Sequence, residues 1–158
     1  MTTPTGINGR RKGASAEREF AGLIHENLGV RLIRRLDQAR GGGHDLEPAP
    51  GQSGPAADTL AGLAIECKRY QAITPAVMVG FWGQTARQAA AAGLTPCLAY
   101  RANRTPWRVV VPLAWLSPDT AGHPADLDYT ATLPLPAFCM AVREYPPGGG
   151  FKPPPAAL

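Results

Sequence analysis

Three features of the 158-residue sequence predict an α/β fold, a mixed β-sheet flanked by helices. The first is Leu63-Ala64-Ile65-Glu66-Cys67-Lys68-Arg69-Tyr70, an apolar approach that turns into an alternating charged strand. The second is a helical stretch with clear ends, Thr74 as cap, Pro75 at the first position and Gly93 as the stop. The third is the strand-like run Thr95–Arg101 that follows it, with another at Trp107–Leu113. A strand, a helix and a strand in succession imply a crossover, so part of the sheet is parallel and the whole is mixed.

Upstream, Ser15 is a good N-cap for a helix running to about Leu28, with Gly29 as its stop. Ala16, Phe20, Leu23, Ile24 and Leu28 share one stripe of it. Val30–Asp37 reads as a first strand with imperfect alternation, and Asp45-Leu46-Glu47 as a short second one after Gly41-Gly42-Gly43-His44. Residues 48–59 (PAPGQSGPAADT) read as a long loop, disordered at its tip. Residues 117–136 read as an acidic, Pro-rich loop, and Ala137–Tyr145 as a last strand or short helix. Residues 1–13 are expected to be a flexible basic arm, 14–145 one domain and 146–158 a Pro/Gly-rich tail.

Composition narrows the class of protein. Apolar residues make up 44% and charged ones 18%, which suits a packed domain and excludes a disordered chain. The net charge of +4 favours an acidic partner. Eight basic residues (Arg10, Arg11, Lys12, Arg18, Arg31, Arg34, Arg35 and Arg40) fall in the first 40 against four acidic ones, the footprint expected for contact with phosphates. A merely solvated basic surface is the alternative. The three cysteines, Cys67, Cys97 and Cys139, are far apart and lie in apolar runs, so reduced core thiols are expected. The start lacks an apolar signal segment, and no apolar run approaches membrane-spanning length, so a cytoplasmic protein is expected.

The chemistry gathers around Leu63–Tyr70. Alternate side chains of a strand share a face, so Leu63, Ile65 and Cys67 point one way and Glu66 and Lys68 the other. Asp45 and Glu66 are hard oxygen donors suited to Mg²⁺, with Mn²⁺ as a substitute. Lys68 beside them suits positioning of a water or stabilisation of charge, because an ordinary lysine is too basic to act as a proton acceptor near neutral pH. Glu17 in the first helical turn has two readings, a metal-site carboxylate or simple complementarity to the helix dipole.

The order Glu17, Gly-rich turn, Asp45, Glu66-Cys67-Lys68 resembles the PD-(D/E)XK nuclease superfamily, most like the archaeal-type and phage Holliday junction resolvases. The resemblance covers roughly residues 10–113. It implies a restriction-endonuclease-like fold and metal-dependent hydrolysis of DNA phosphodiesters, on branched DNA and by a homodimer. It implies metal ligation by Asp45, Glu66 and the Cys67 carbonyl with help from Glu17, and a catalytic set of Glu17, Asp45, Glu66 and Lys68. It also implies a polar helix residue behind the lysine, Gln84, for which a solvent-facing pair with Gln88 is the bland alternative. His44 stands where the family often has proline. Arg10, Arg11, Lys12, Arg34, Arg35, Arg40, Arg69, Arg101 and Arg104 are the expected DNA contacts. Competing functions are a restriction- or repair-type nuclease on the same fold, a non-catalytic DNA-binding protein, and a nucleotide-binding enzyme using Gly41–Gly43 as a phosphate loop.

Overall fold

The computed structural model describes residues 5–35, 43–120 and 122–144. Its elements are α1 (Thr5–Leu28), β1 (Leu32–Arg34), β2 (Leu46–Pro48), α2 (Pro55–Ala61), β3 (Leu63–Tyr70), α3 (Pro75–Ala92), β4 (Thr95–Ala102), β5 (Arg108–Pro112), α4 (Leu113–Leu116), a 3₁₀ turn (Leu127–Tyr129), β6 (Thr130–Pro134) and α5 (Leu135–Glu144). The six strands form one sheet in sequence order. Every pairing is antiparallel except β3 with β4, which run parallel on either side of the crossover helix α3. This is the mixed, restriction-endonuclease-like α/β architecture.

Alternation along the strands divides the core between the two faces. On one face, Leu63, Ile65 and Cys67 of β3 join Cys97, Ala99, Val109 and Val111 beneath Ala16, Phe20 and Ile24 of α1 and Phe138, Cys139 and Val142 of α5. The predicted stripe of α1 is the one that is buried, and all three thiols are free and buried. On the other face, Trp82 of α3 packs on Leu98 and Val110, with Met78, Phe81, Tyr100 and Leu127 around them. Helix α3 has the ends its sequence announces. The Thr74 hydroxyl accepts from the Val77 amide at 3.3 Å, and Gly93 takes the left-handed conformation (φ +68°) that closes the last turn.

Three expectations need correction. Helix α1 begins at Thr5, so residues 5–13 are helical backbone and Ser15 lies inside the helix. No proline interrupts that stretch, so the helix can continue in the N-terminal direction from the packed part of α1. Residues 55–61, expected to be loop, form α2, because Ala57 and Leu60 become buried against β2 and α5. Residues 130–134, also expected to be loop, form β6 by pairing along β5 from Thr130 to Pro134. Of the two alternatives for the last element the helix is the one formed, as α5, and it starts at Leu135. The 146–158 tail lies outside the described residues. Among the described residues no helix is long and apolar enough to cross a membrane.

Candidate nuclease site

The cleft opens where β2 and β3 part. These strands share a single register pair, Leu46 with Ile65, and the Asp45 amide donates to the Ile65 carbonyl at 2.8 Å. Beyond that point β3 continues without a β2 partner, and the side chain of Asp45 fills the gap. Its Oδ2 accepts from the Cys67 amide at 2.8 Å, which satisfies a strand N–H that has lost its ladder. The short strand β2 thus fixes Asp45 at the fork, one residue away from Glu66.

Glu66 is buried, and Lys68 stands two residues further on the same face, its Nζ 3.0 Å from Glu66 Oε1. Phe81 of α3 lies beneath that ammonium, with Nζ 5.4 Å from the ring centroid, a cation–π contact that holds the lysine over the cleft. Gly13, Glu17, Asp45, Glu66, Cys67, Lys68, Arg69, Tyr70 and Gln71 line a cleft of about 420 Å³. The fork brings Glu17, on the α1 side of the sheet, and Glu66, on the α3 side, to one opening.

Among the described residues, cations offset only part of the cost of burying the carboxylates of this opening. Burial pushes the Glu66 carboxyl up to about 7, the nearby Asp45 adds to the rise, and Lys68 offsets only part of it. Among the described residues Glu66 Oε2 is buried with no hydrogen-bond partner. Burial and Asp45 also raise Glu17, against the counter-effect of Arg34, whose guanidinium forms a close ion pair with Glu17 Oε2. A buried carboxylate oxygen without a donor, next to a second carboxylate, is a fitting place for a divalent ion. Asp45 and Glu66, with the Cys67 carbonyl, would hold it, and Mg²⁺ commonly takes one or two carboxylates and completes its shell with water and phosphate. Among the described residues no three His, Cys, Asp or Glu side chains form a ready-made metal cage. Glu17 is engaged by Arg34 instead.

The remaining expected residues separate into groups. Arg35 contacts the buried His44 ring, with 3.3 Å from Nη1 to Nδ1, and Glu47 at 3.6 Å. Burial first and Arg35 second push His44 below its usual range, so it packs as a neutral ring against Arg35 and is not among the residues lining the cleft. Arg69 lines the cleft, while its register partner Arg101 stands beside it on β4. Arg104 is exposed in the β4–β5 turn in the left-handed conformation (φ +64°). Gln84 is half-buried on α3 and does not line the cleft, whereas Gln88 Oε1 is buried without a partner. Arg40 lies outside the described residues, as do the side chains of Arg10, Arg11 and Lys12.

One residue was not anticipated. Glu19 of α1 gathers Arg69 (3.3 Å), Arg101 and the Trp107 indole N–H (3.0 Å) at the end of the two parallel strands. Glu19 was visible as a second acid beside Glu17, but nothing local marks partners 50, 82 and 88 residues away.

Residues 8–126 match the family model described as "Phage putative PDDEXK endonuclease". The chain belongs to that family. This PD-(D/E)XK endonuclease has no match among curated proteins. Among solved structures it is similar to Hjc, a Holliday junction resolvase from the archaeal hyperthermophile Archaeoglobus fulgidus. The two share 21% identity over 62% of this chain and 70% of that one, with a TM-score of 0.39. No residue role follows from a likeness at that level.

Proposed function

We propose that this chain is a Mg²⁺-dependent endodeoxyribonuclease, with Mn²⁺ as a substitute metal, and that its favoured substrate is a four-way DNA junction. The observation that carries the nuclease reading is the convergence of Asp45, Glu66 and Lys68 at the β2–β3 fork, with one Glu66 oxygen buried and unpartnered. The junction preference rests on the order of Glu17, the glycine turn, Asp45 and Glu66-Cys67-Lys68 along the chain. A homodimer, which would present two such clefts to the two strands cut, goes with that preference and is tested by sedimentation. A cytoplasmic location accompanies the reading.

A bound divalent ion supplies charge neutralisation at the phosphate and a more acidic water. The chain's own residues do the rest. Asp45 is held by the Cys67 amide, so its carboxylate needs no reorientation on binding. Lys68, tethered between Glu66 and Phe81, keeps a positive charge at the cleft, where it orients a water or meets the charge that builds on the phosphate. Arg69 lines the cleft with its guanidinium held by Glu19, which places a fixed positive charge where a neighbouring phosphate would lie.

The test uses labelled four-way junction, linear duplex and single strand of matched sequence, with Mg²⁺ and with EDTA, for wild type and Asp45→Asn. The expected result is paired symmetric nicks in the junction alone, lost with EDTA and in the variant. Cutting of every substrate would keep the nuclease and discard the junction preference, leaving a restriction- or repair-type enzyme. Salt-sensitive binding without cutting would overturn the reading in favour of a non-catalytic DNA-binding protein.

A further inference from the structure

Strand β3 carries its chemistry along one face, and that face does not stop at Lys68. Tyr70 is two residues on and so projects to the same side. The strand is buried from Leu63 to Cys67 and then emerges, so that Tyr70, its last residue, is 46% exposed. Its ring is nevertheless fixed from below, since it lies against Phe81 at 4.9 Å between centroids with the planes tilted by 42°. Phe81 is the same ring that supports the Lys68 ammonium. The backbone is fixed too, because Tyr70 is paired with Ala102 of β4 and its carbonyl accepts from the Asn103 amide at 2.9 Å.

Tyr70 lines the same cleft as Asp45, Glu66 and Lys68. The cleft therefore has a charged inner end and an aromatic outer end on one rigid strand. A nucleotide has the matching division, an anionic phosphate and a flat apolar base. A base buried in a stacked duplex cannot offer its face to a side chain, whereas an unstacked one can.

We propose that Tyr70, backed by Phe81, is a stacking platform for a nucleobase that has left the helical stack beside the phosphate held at Asp45, Glu66 and Lys68. The proposal rests on the nuclease reading for which phosphate is bound, and it adds a preference for DNA with an unstacked base next to the scissile bond. Tyr70 is a binding residue here, and Phe81 positions both it and Lys68.

The experiment separates stacking from cutting. Full-length Lys68→Ala protein, which retains the platform, is titrated onto a single-stranded oligonucleotide carrying 2-aminopurine and onto a matched duplex. Stacking on Tyr70 is expected to change the 2-aminopurine fluorescence on the single strand. Adding Tyr70→Ala should abolish that change and weaken single-strand binding about tenfold, towards the lower end of the usual range for a base–aromatic contact, while duplex affinity stays within about twofold. Adding Tyr70→Phe in its place should restore the signal, because the ring and not the hydroxyl does the stacking. An unchanged fluorescence response in Tyr70→Ala overturns the proposal, as does an equal loss of affinity for single strand and duplex. In the cleaving protein, Tyr70→Ala should raise KM on DNA with an unpaired base at the cut and leave kcat nearly unchanged. Absence of cleavage in wild type would sink the nuclease reading but leave the fluorescence result standing.

Discussion

The two faces of the sheet are built differently. The face under α1 and α5 is a broad apolar layer in which Leu63, Ile65, Cys67, Cys97, Ala99, Val109 and Val111 of the strands meet aliphatic and aromatic side chains of the two helices. Among the described residues the face under α3 has a smaller core, built on Trp82, Leu98 and Val110, because β3 contributes Glu66 and Lys68 to that side. The same strand thus feeds a hydrophobic core on one side and a charged cleft on the other. The difference teaches where the stability of the molecule resides. The thick face holds the fold, and the thin face gives up packing so that charged groups can stand at the fork. A conflict between local preference and function of this kind is the expected mark of a working site.

The largest effect that could break this comparison is in the packing. Trp82→Ala and Phe20→Ala should each cost about 3–5 kcal/mol in denaturant unfolding. Trp82 should be the more costly, since few neighbours can close over its cavity and its indole N–H also bonds to the Pro124 carbonyl at 3.0 Å. A larger loss for Phe20→Ala would mean that the thin face is not the vulnerable one.

Next in size are the carboxylates of the fork. Asp45→Asn and Glu66→Gln should each lower cleavage by about 10²–10³-fold, the scale seen when one electrostatic contact to a transition state is lost. Stability and DNA binding should be retained. Near-wild-type cleavage by either variant would remove that residue from the site.

The charge shortage at Glu66 makes a third prediction, for metal-free protein. Its folded value of about 7 lies above the unfolded 4.5, so the stability it contributes is present at low pH and is lost as pH rises through that window. His44, pushed below its ordinary 6.5, acts in the opposite sense and destabilises the fold on acidification. The two are separated by subtraction. Between pH 5 and pH 8 the melting temperature of wild type should fall relative to Glu66→Gln, and added Mg²⁺ should shrink that gap by replacing the proton. Parallel pH profiles for the two proteins would rule out the raised carboxyl.

The smallest effect is local. Thr74→Ala removes the side-chain cap of α3 and should cost about 1 kcal/mol. Because α3 carries Phe81 beneath Lys68, the variant should also lower kcat slightly at temperatures where the helix frays. Loss of stability without any change in kcat would uncouple the helix start from the lysine.

The sequence legibility of these features follows how far apart the deciding residues are. Helix α3 could be read because Thr74, Pro75 and Gly93 are signals contained in one segment. The faces of β3 could be read because alternation needs only the strand itself, and Asp45 stood out through its glycine turn. Helix α2 was hidden because its seven residues directly follow the Pro/Gly-rich run 48–54 and are too few to show a periodic stripe, and they are stabilised by burial of Ala57 and Leu60 on other elements. Strand β6 was hidden because TATLP has little strand character without β5 alongside. The arginines were legible as a basic population but not by role. Arg34 is committed to Glu17, Arg35 to His44 and Glu47, and Arg101 to Glu19, and only assembly of the fold reveals these partners.

The three contacts of Glu19 have a consequence for the order of events during folding. They close loops of 50, 82 and 88 residues, and each closure carries an entropic cost that is offset only once both ends are in place. The last of these contacts forms only after Trp107 has been reached, however early helix α1 itself forms. During synthesis the residues of the fork all leave the ribosome well before that point. A chain stopped short of β5 would hold Asp45, Glu66 and Lys68 without the knot that fastens α1 over them. The fastening of α1 by Glu19 is thus a late event, made after the residues of the fork are already in the chain.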